Sequence, residues 1–267
     1  MKYYGITDCG IVRSENQDSF GCTEIKLKCT GETLLLSAVC DGMGGTAGGS
    51  LASSTALDSF MKYVLRQIEA YGEDISNPDN IPFEKILGDG AKFANKAVLA
   101  ESTANPEYEG MGTTLVAMLC AGDSLYVINI GDSRMYALCG SDLIQITHDH
   151  SFVQSLVDNG TITKEQARTH TEKNIILQAV GTSPNVKPDI FTLKGLPDAA
   201  LLCSDGLSNM LPDSEICEHL LSPDDCKSIA EKLVSAANSA GGTDNITVFI
   251  SKFEVQTPDL AEKKSAK

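Results

Sequence analysis

Residues 33–45 read TLLLSAVCDGMGG, an apolar run that stops at Asp41 and gives way to glycines. Thr33 to Cys40, rich in leucine and closed by an Asp-Gly turn pair, has the length and composition of a buried strand. Then the period changes. Leu57, Phe60, Met61, Val64, Leu65 and Ile68 recur at spacings of three and four, the stripe of an amphipathic helix lying on a flat surface. A second helix is expected over residues 82–100, with Phe83, Ile86, Leu87, Ala94, Ala97 and Val98 turned inward. One strand followed by two helices supplies no βαβ unit, so the pattern argues against a parallel sheet.

Working outward, β-branched and aromatic runs predict strands at Tyr3 to Thr7 and Phe20 to Leu27. Downstream, Thr114 to Cys120, Leu125 to Ile130, Met135 to Leu138 and Leu143 to Ile146 read as a meander of hairpins with Gly-Asp and Gly-Ser turns. Residues 150–185 break this rhythm with a short apolar helix at Phe152 to Val157, an Asn159-Gly160 stop and a capping box from Thr163 to Gln166. That stretch is expected to be a mobile excursion. Strands resume at Asp189 to Leu193 and Leu201 to Ser204. Two helices follow, the second opening at Ser222-Pro223 with Asp225 at its capping-box position, and Asn245 to Phe253 closes the fold as a strand. Strand runs interrupted by helix pairs predict an α+β layered sandwich. Residues 1–254 read as one catalytic domain and 255–267 as a flexible C-terminal tail.

Composition narrows the function. The 36 Asp plus Glu outnumber the 21 Lys plus Arg, a net charge of -15 that repels nucleic acid and anionic membrane surfaces. The nine cysteines form no C-x-x-C pair, so reduced thiols are expected rather than a disulfide framework or a structural zinc site. No run approaches the roughly 18 apolar residues of a membrane span, and the first residues lack an apolar leader, so a cytoplasmic protein is expected.

Five aspartates share one setting beside Gly, Asn or Ser at the edge of a strand: Asp18, Asp41, Asp132, Asp205 and Asp244. Any one of them is ordinary turn chemistry. Asp41 and Asp205, however, each end an apolar run, so their carboxylates emerge from a low-dielectric core with few basic residues nearby in sequence. A divalent cation would neutralise them, and an all-oxygen donor set selects magnesium or manganese. Metal-activated water attacking phosphorus is the chemistry that follows. His148-Asp149-His150 resembles a further metal cluster, but loop contacts account for it equally well and no ligand is assigned there. Gly42-Met43-Gly44-Gly45-Thr46-Ala47 matches the dinucleotide pattern G-x-G-x-x-A. Asp41 would repel a pyrophosphate and the second strand of that motif is missing, so the glycines are read as allowing close backbone approach, with Gly42 offering its carbonyl.

In order along the chain, Arg13-Ser14-Glu15-Asn16-Gln17-Asp18, Val39 to Gly45, Met111-Gly112-Thr113-Thr114, Asn129 to Arg134, Thr147 to Ser151, Leu202 to Leu207 and Gly242 to Thr247 resemble the PPM, or PP2C, family of metal-dependent protein serine/threonine phosphatases, particularly its bacterial members. The resemblance runs from about residue 5 to about residue 252. It implies a four-layer α-β-β-α sandwich, two antiparallel sheets flanked by helix pairs, that hydrolyses phosphothreonine and phosphoserine by attack of a water bridging two manganese or magnesium ions. By the same resemblance, Asp41 bridges the two ions, Asp205 and Asp244 complete the first site, the Gly42 carbonyl joins the second, and Asp18 acts through water. Asp132 with Asp205 falls where bacterial members hold a weaker third metal, Arg13 where the family grips the substrate phosphate, and residues 150–185 where it carries a flap.

The implied partners are phosphorylated proteins and a cognate Ser/Thr kinase, and the implied assembly a monomer. Two departures stand out: Met43 occupies the place of a histidine proposed as general acid in animal relatives, and Gln178 replaces an expected arginine, so substrate contacts at the flap are expected to differ. A phosphoprotein-binding pseudophosphatase is the alternative, disfavoured by the intact Asp41, Asp205, Asp244 and Arg13. Cys40 and Cys203, each beside a proposed ligand, are expected to be inert buried thiols.

Overall fold

The computed structural model describes residues 1–28, 30–45, 48–74 and 80–253. The tail expected at 255–267 and Thr46-Ala47 of the glycine motif lie outside the described residues.

One sheet holds β1 (Lys2–Asp8), β7 (Arg134–Cys139), β8 (Asp142–Gln145), β10 (Ala199–Cys203) and β11 (Ile246–Lys252), in the order β1-β11-β10-β7-β8. The other holds β2 (Asp18–Lys26), β3 (Thr33–Met43), β5 (Leu115–Ala121), β6 (Ser124–Ile130) and β9 (Asp189–Lys194) in the order β2-β3-β5-β6-β9. The short β4 (Gly112–Thr113) pairs with the end of β3. Every pairing is antiparallel, which removes the dinucleotide reading of the glycine motif at its root.

The alternation along β3 builds the layers. Leu35 and Val39 point between the sheets, against Val116 and Met118 of β5, Met135 of β7 and Phe249 of β11. Leu34, Leu36, Ala38 and Cys40 point the other way, onto Phe60, Val64 and Ile68 of α1 (Gly48–Asp74) and Leu87 and Ala94 of α2 (Phe83–Ala104). On the far face of the first sheet, Leu201, Val248 and Ile250 meet Ile216 and Leu220 of α6 (Asp213–Leu221) and Ile229 and Leu233 of α7 (Cys226–Ser239). The result is the expected four-layer α-β-β-α sandwich. Emptying one of its fully buried leucines, as in Leu36→Ala, costs about 2–5 kcal/mol.

Several expectations shift in detail. The predicted meander is split between the sheets: β5 and β6 lie in one, β7 and β8 in the other, and the chain crosses over at Gly131-Asp132-Ser133. Ala97 is only half-buried, on the flank of the stripe set by Ala94 and Val98. Downstream of β10 there are, among the described residues, three helical segments, α5 (Asp205–Ser208), α6 and α7. The last starts at Cys226 with Asp225 as its N-cap, accepting from the Ser228 amide at 2.7 Å, instead of at Ser222-Pro223. Ser222 is extended, as a residue before proline prefers to be, and caps the end of α6.

The excursion at 150–185 contains α3 (Phe152–Asp158) and α4 (Lys164–Arg168), with the Thr163–Gln166 capping box present. The Ser151–Ile176 bridge closes its base on itself, and the Thr113–Val180 bridge anchors it to β4 of the sandwich.

Candidate active site

The five aspartates converge at one end of the sandwich because that is where their strands begin or end. Asp18 opens β2 and Asp41 lies near the end of β3, so the two are register partners. Cys203 at the end of β10 pairs with Arg134 on one side and Val248 on the other. Asp205, Asp132 and Asp244 therefore fall within a few residues of one point. The backbone at Asp41 is fixed on both sides: its amide donates to Thr114 Oγ1 at 2.9 Å, and its carbonyl accepts from the Thr114 amide at 2.9 Å and Thr113 Oγ1 at 2.8 Å. Thr114 Oγ1 also lies 2.7 Å from Ser133 Oγ, tying the crossover that carries Asp132 to the same pair.

Four of these carboxylates, Asp18, Asp41, Asp132 and Asp205, are under electrostatic stress. Burial is the largest cause in each case. It raises Asp18 to about 7, with Asp205 and Asp244 adding to the rise while hydrogen bonds from Thr247 and Ser204 oppose it. Asp41 rises well above the ordinary carboxylate range through burial and then the charges of Asp18, Asp205, Asp132 and Asp244. Asp132 rises likewise, with Asp205 and Asp149 contributing, and Asp205 rises through burial and Asp244. Asp18 Oδ2 accepts from Ser204 Oγ at 2.7 Å and Thr247 Oγ1 at 2.6 Å, and Asp205 Oδ2 accepts from Asn209 Nδ2 at 2.8 Å. Three further oxygens, Oδ1 of Asp18, Asp132 and Asp205, are buried and without a hydrogen-bond partner.

Orphaned, buried, mutually repelling oxygens are the donor set a hard divalent cation would fit. Among the described residues, no three His, Cys, Asp or Glu side chains close around a single point. Such ions take water and carbonyl oxygens as well as carboxylates. Gly42 lies against this cluster, and a side chain there would strike the carbonyls of Gly49 and Gln17. Its glycine is required by the close packing of α1's first turn on the end of β3. Gly206 is confined in the same way by the Asn245 carbonyl.

Arg13 stands at the rim with 53% of its side chain exposed, and its Nη2 donates to Asp244 Oδ2 at 2.8 Å. That bond and the Asp244 charge, followed by Asp41 and Asp205, raise its pKa further. Its loop is held by Asn245, whose Nδ2 donates to the carbonyls of Cys9 and Glu15 at 2.9 Å and whose Oδ1 accepts from the Gln17 amide at 2.8 Å. Sequence reasoning assigned no role to Asn245, Ser204, Thr247 or Thr114. The legible signal was polarity: each is a buried polar residue within or beside an apolar strand.

His148-Asp149-His150 diverges to three separate partners. Asp149 is paired bidentately with Arg134 (2.7 and 3.1 Å), His148 with Asp158 (2.9 Å) and His150 with Asp189 (3.2 Å). Gln178, at the place of the expected arginine, is engaged inside the flap: Nε2 donates to the Lys187 carbonyl at 2.7 Å and lies 3.0 Å from His150 Nδ1. A cavity of about 310 Å³ separates α3 and α4 from α5 and opens onto Asp132 and Asp205; Arg168 spans it to the Ser208 carbonyl at 2.9 Å. Burial pushes the Cys203 thiol up to about 12 and the Cys40 thiol higher, so both are unreactive near neutral pH.

Residues 11–249 match the family Protein phosphatase 2C. The serine/threonine phosphatase stp of Listeria monocytogenes serotype 4b (strain F2365) is 37% identical over 245 residues, covering 91% of this chain and 92% of that protein. The crystal structure of the serine/threonine phosphatase Stp1 from Staphylococcus aureus superposes with a TM-score of 0.80 at 33% identity, covering 94% of each chain. The catalytic domain of the serine/threonine protein phosphatase PstP, solved in complex with two manganese ions, does so with a TM-score of 0.77 at 34% identity, covering 94% of this chain and 97% of that one.

Proposed function

This chain belongs to the protein phosphatase 2C family and is a protein serine/threonine phosphatase, and from that premise we propose that its acidic end is a manganese or magnesium centre that hydrolyses phosphothreonine and phosphoserine. The observation that carries the assignment is the set of buried, unpartnered Oδ1 atoms on Asp18, Asp132 and Asp205 beside Asp41. Asp41 would bridge two ions, Asp205 and Asp244 would complete the first site, and the Gly42 carbonyl would serve the second. Asp18 would act through water, and Asp132 with Asp205 would hold a weaker third ion. When bound, such ions supply activation of a water for attack on phosphorus and charge neutralisation at its oxygens.

The chain's own residues do the rest. Arg13 uses one nitrogen on Asp244 and keeps the remaining N–H groups of a half-exposed guanidinium for phosphate oxygens. The pocket beside it, about 260 Å³ and lined by Ser14, Glu15, Gln17, Gly44, Gly45 and Asn245, takes the phosphorylated side chain, with Arg13 offsetting the Glu15 charge. Met43 has a thioether and cannot donate a proton, and His148 and His150 are each paired with a carboxylate. The leaving alkoxide therefore draws its proton from water or from a histidine of the flap rather than from position 43.

Residues 1–254 serve as one catalytic domain, a monomer that reverses a Ser/Thr kinase. The eight free cysteines among the described residues favour a reducing, cytoplasmic setting. The test is phosphate release from a phosphothreonine peptide with manganese, with magnesium and with chelator: activity that appears only with metal supports the reading, and full activity in chelator refutes it.

A further inference from the structure

The loop between β1 and β2 presents two branched apolar side chains to water immediately before Arg13. Ile11 is 67% exposed and Val12 66%, the largest values for any large hydrophobic residue among those described. Their exposure does not come from a loose loop. The amides of Ile11 and Val12 both donate to the Gly242 carbonyl, at 2.8 and 3.2 Å. The Gly10 amide donates to Asp8 Oδ1 at 2.9 Å, and Gly10 itself has φ +76, with the Asp244 carbonyl where a side chain would go. The chain thus holds an apolar pair rigidly outward, on the same scaffold of Gly242 to Asp244 that receives Arg13. Nothing inside the protein packs on the exposed parts of these side chains, so their shape is available to a partner.

The partner is set by position. Resting on the phosphatase assignment above, Arg13 marks where the substrate phosphate sits, and Val12 is one residue away. An extended peptide advances about 3.3 Å per residue, so side chains one or two positions from the phosphorylated residue reach the Ile11-Val12 ledge while the phosphate is held. Charge selects among such side chains. The adjoining pocket is lined by Glu15 and the chain carries a net charge of -15, which disfavours acidic neighbours. We propose that Ile11 and Val12 form a docking ledge for an apolar residue flanking the phosphothreonine or phosphoserine of the substrate protein, and so determine which phosphosites are chosen.

The test uses three phosphothreonine peptides differing only in the flanking residues, which are leucine, serine or glutamate, with manganese present. The unmodified enzyme should have a kcat/KM about tenfold higher on the leucine peptide than on the serine peptide. The double variant Ile11→Ser/Val12→Ser should bring that ratio to about one, and Val12→Lys should move the preference toward the glutamate peptide. A ratio near one in the unmodified enzyme would overturn the proposal. So would a ratio unchanged in the double variant, even with both rates lowered together. Turnover of none of the peptides by the unmodified enzyme would instead remove the phosphatase assignment, and this inference with it.

Discussion

Asp132 and Asp149 lie at the same end of the molecule and at the same depth, each with 7% of its surface exposed, yet they are treated in opposite ways. Asp149 is saturated: Arg134 meets both of its oxygens at 2.7–3.1 Å and Gln145 Nε2 adds a bond of 2.8 Å. Arg134 in turn donates to Tyr136 Oη at 2.8 Å, which donates to Asp213 at 3.0 Å, so the network closes within the protein. Asp132, like Asp18 and Asp205, keeps a buried oxygen with no partner. A buried carboxylate with its own arginine is part of the scaffold. One left orphaned among other carboxylates costs stability, and its retention marks a place where a ligand supplies what the chain withholds.

Substitutions should separate the two sets, because they predict opposite trades of activity against stability. The largest effect belongs to Asp41→Asn, which should lower kcat/KM by at least about a hundredfold, a loss of about 2.7 kcal/mol in transition-state stabilisation. The same change relieves repulsion in the metal-free protein, so its melting temperature in chelator should equal or exceed that of the unmodified chain. A nearly active Asp41→Asn enzyme would collapse the distinction.

Asp149→Asn should do the reverse. It leaves the Arg134 guanidinium without its counter-charge and should destabilise the fold by about 3–5 kcal/mol, measured by denaturant unfolding, with manganese or without. Asp132→Asn should be milder than either, lowering activity by about tenfold, within the range for outlying ligands, while calorimetry still finds two tight ions.

The smallest effect is one of pH. Asp18 titrates near 7 when folded and in the ordinary range near 3.9 when unfolded, so between those values the folded state binds more protons. Stability of the metal-free protein should then fall as pH rises from about 4 to about 7, and manganese should flatten the dependence. A metal-free melting temperature that rises across that window would show that the cluster is not under the strain described.

Much of this was legible in the sequence, for physical reasons. The alternation of Leu34 to Cys40 and the helical stripe from Leu57 to Ile68 encode burial directly, and burial fixed the layers. The five strand-end aspartates were legible as a group because each lies beside Gly, Asn or Ser at the edge of a strand, and Asp41 and Asp205 because each also ends an apolar run. What the sequence withheld is which partner each group finds across the fold. Asp149 and Asp132 look alike in one dimension, and only the crossover at Gly131 to Ser133 sends one to Arg134 and leaves the other bare. The Arg13–Asp244 pair spans 231 residues, and the replacement of an arginine by Gln178 gave no hint that its amide would bind the Lys187 backbone. The start of α7 was misplaced because Ser222-Pro223 and Asp225 both carry capping chemistry, and the chain uses Asp225.

The most direct measurement is a calorimetric titration of the chelator-treated protein with manganese, run in parallel on the unmodified chain, Asp41→Asn and Asp149→Asn, the last under conditions where it remains folded. Orphaned carboxylates kept for cations require two tight ions in the unmodified chain and in Asp149→Asn, with the tight sites lost in Asp41→Asn. Absence of tight binding to the unmodified chain, or equal stoichiometry in it and Asp41→Asn, would contradict the assignment.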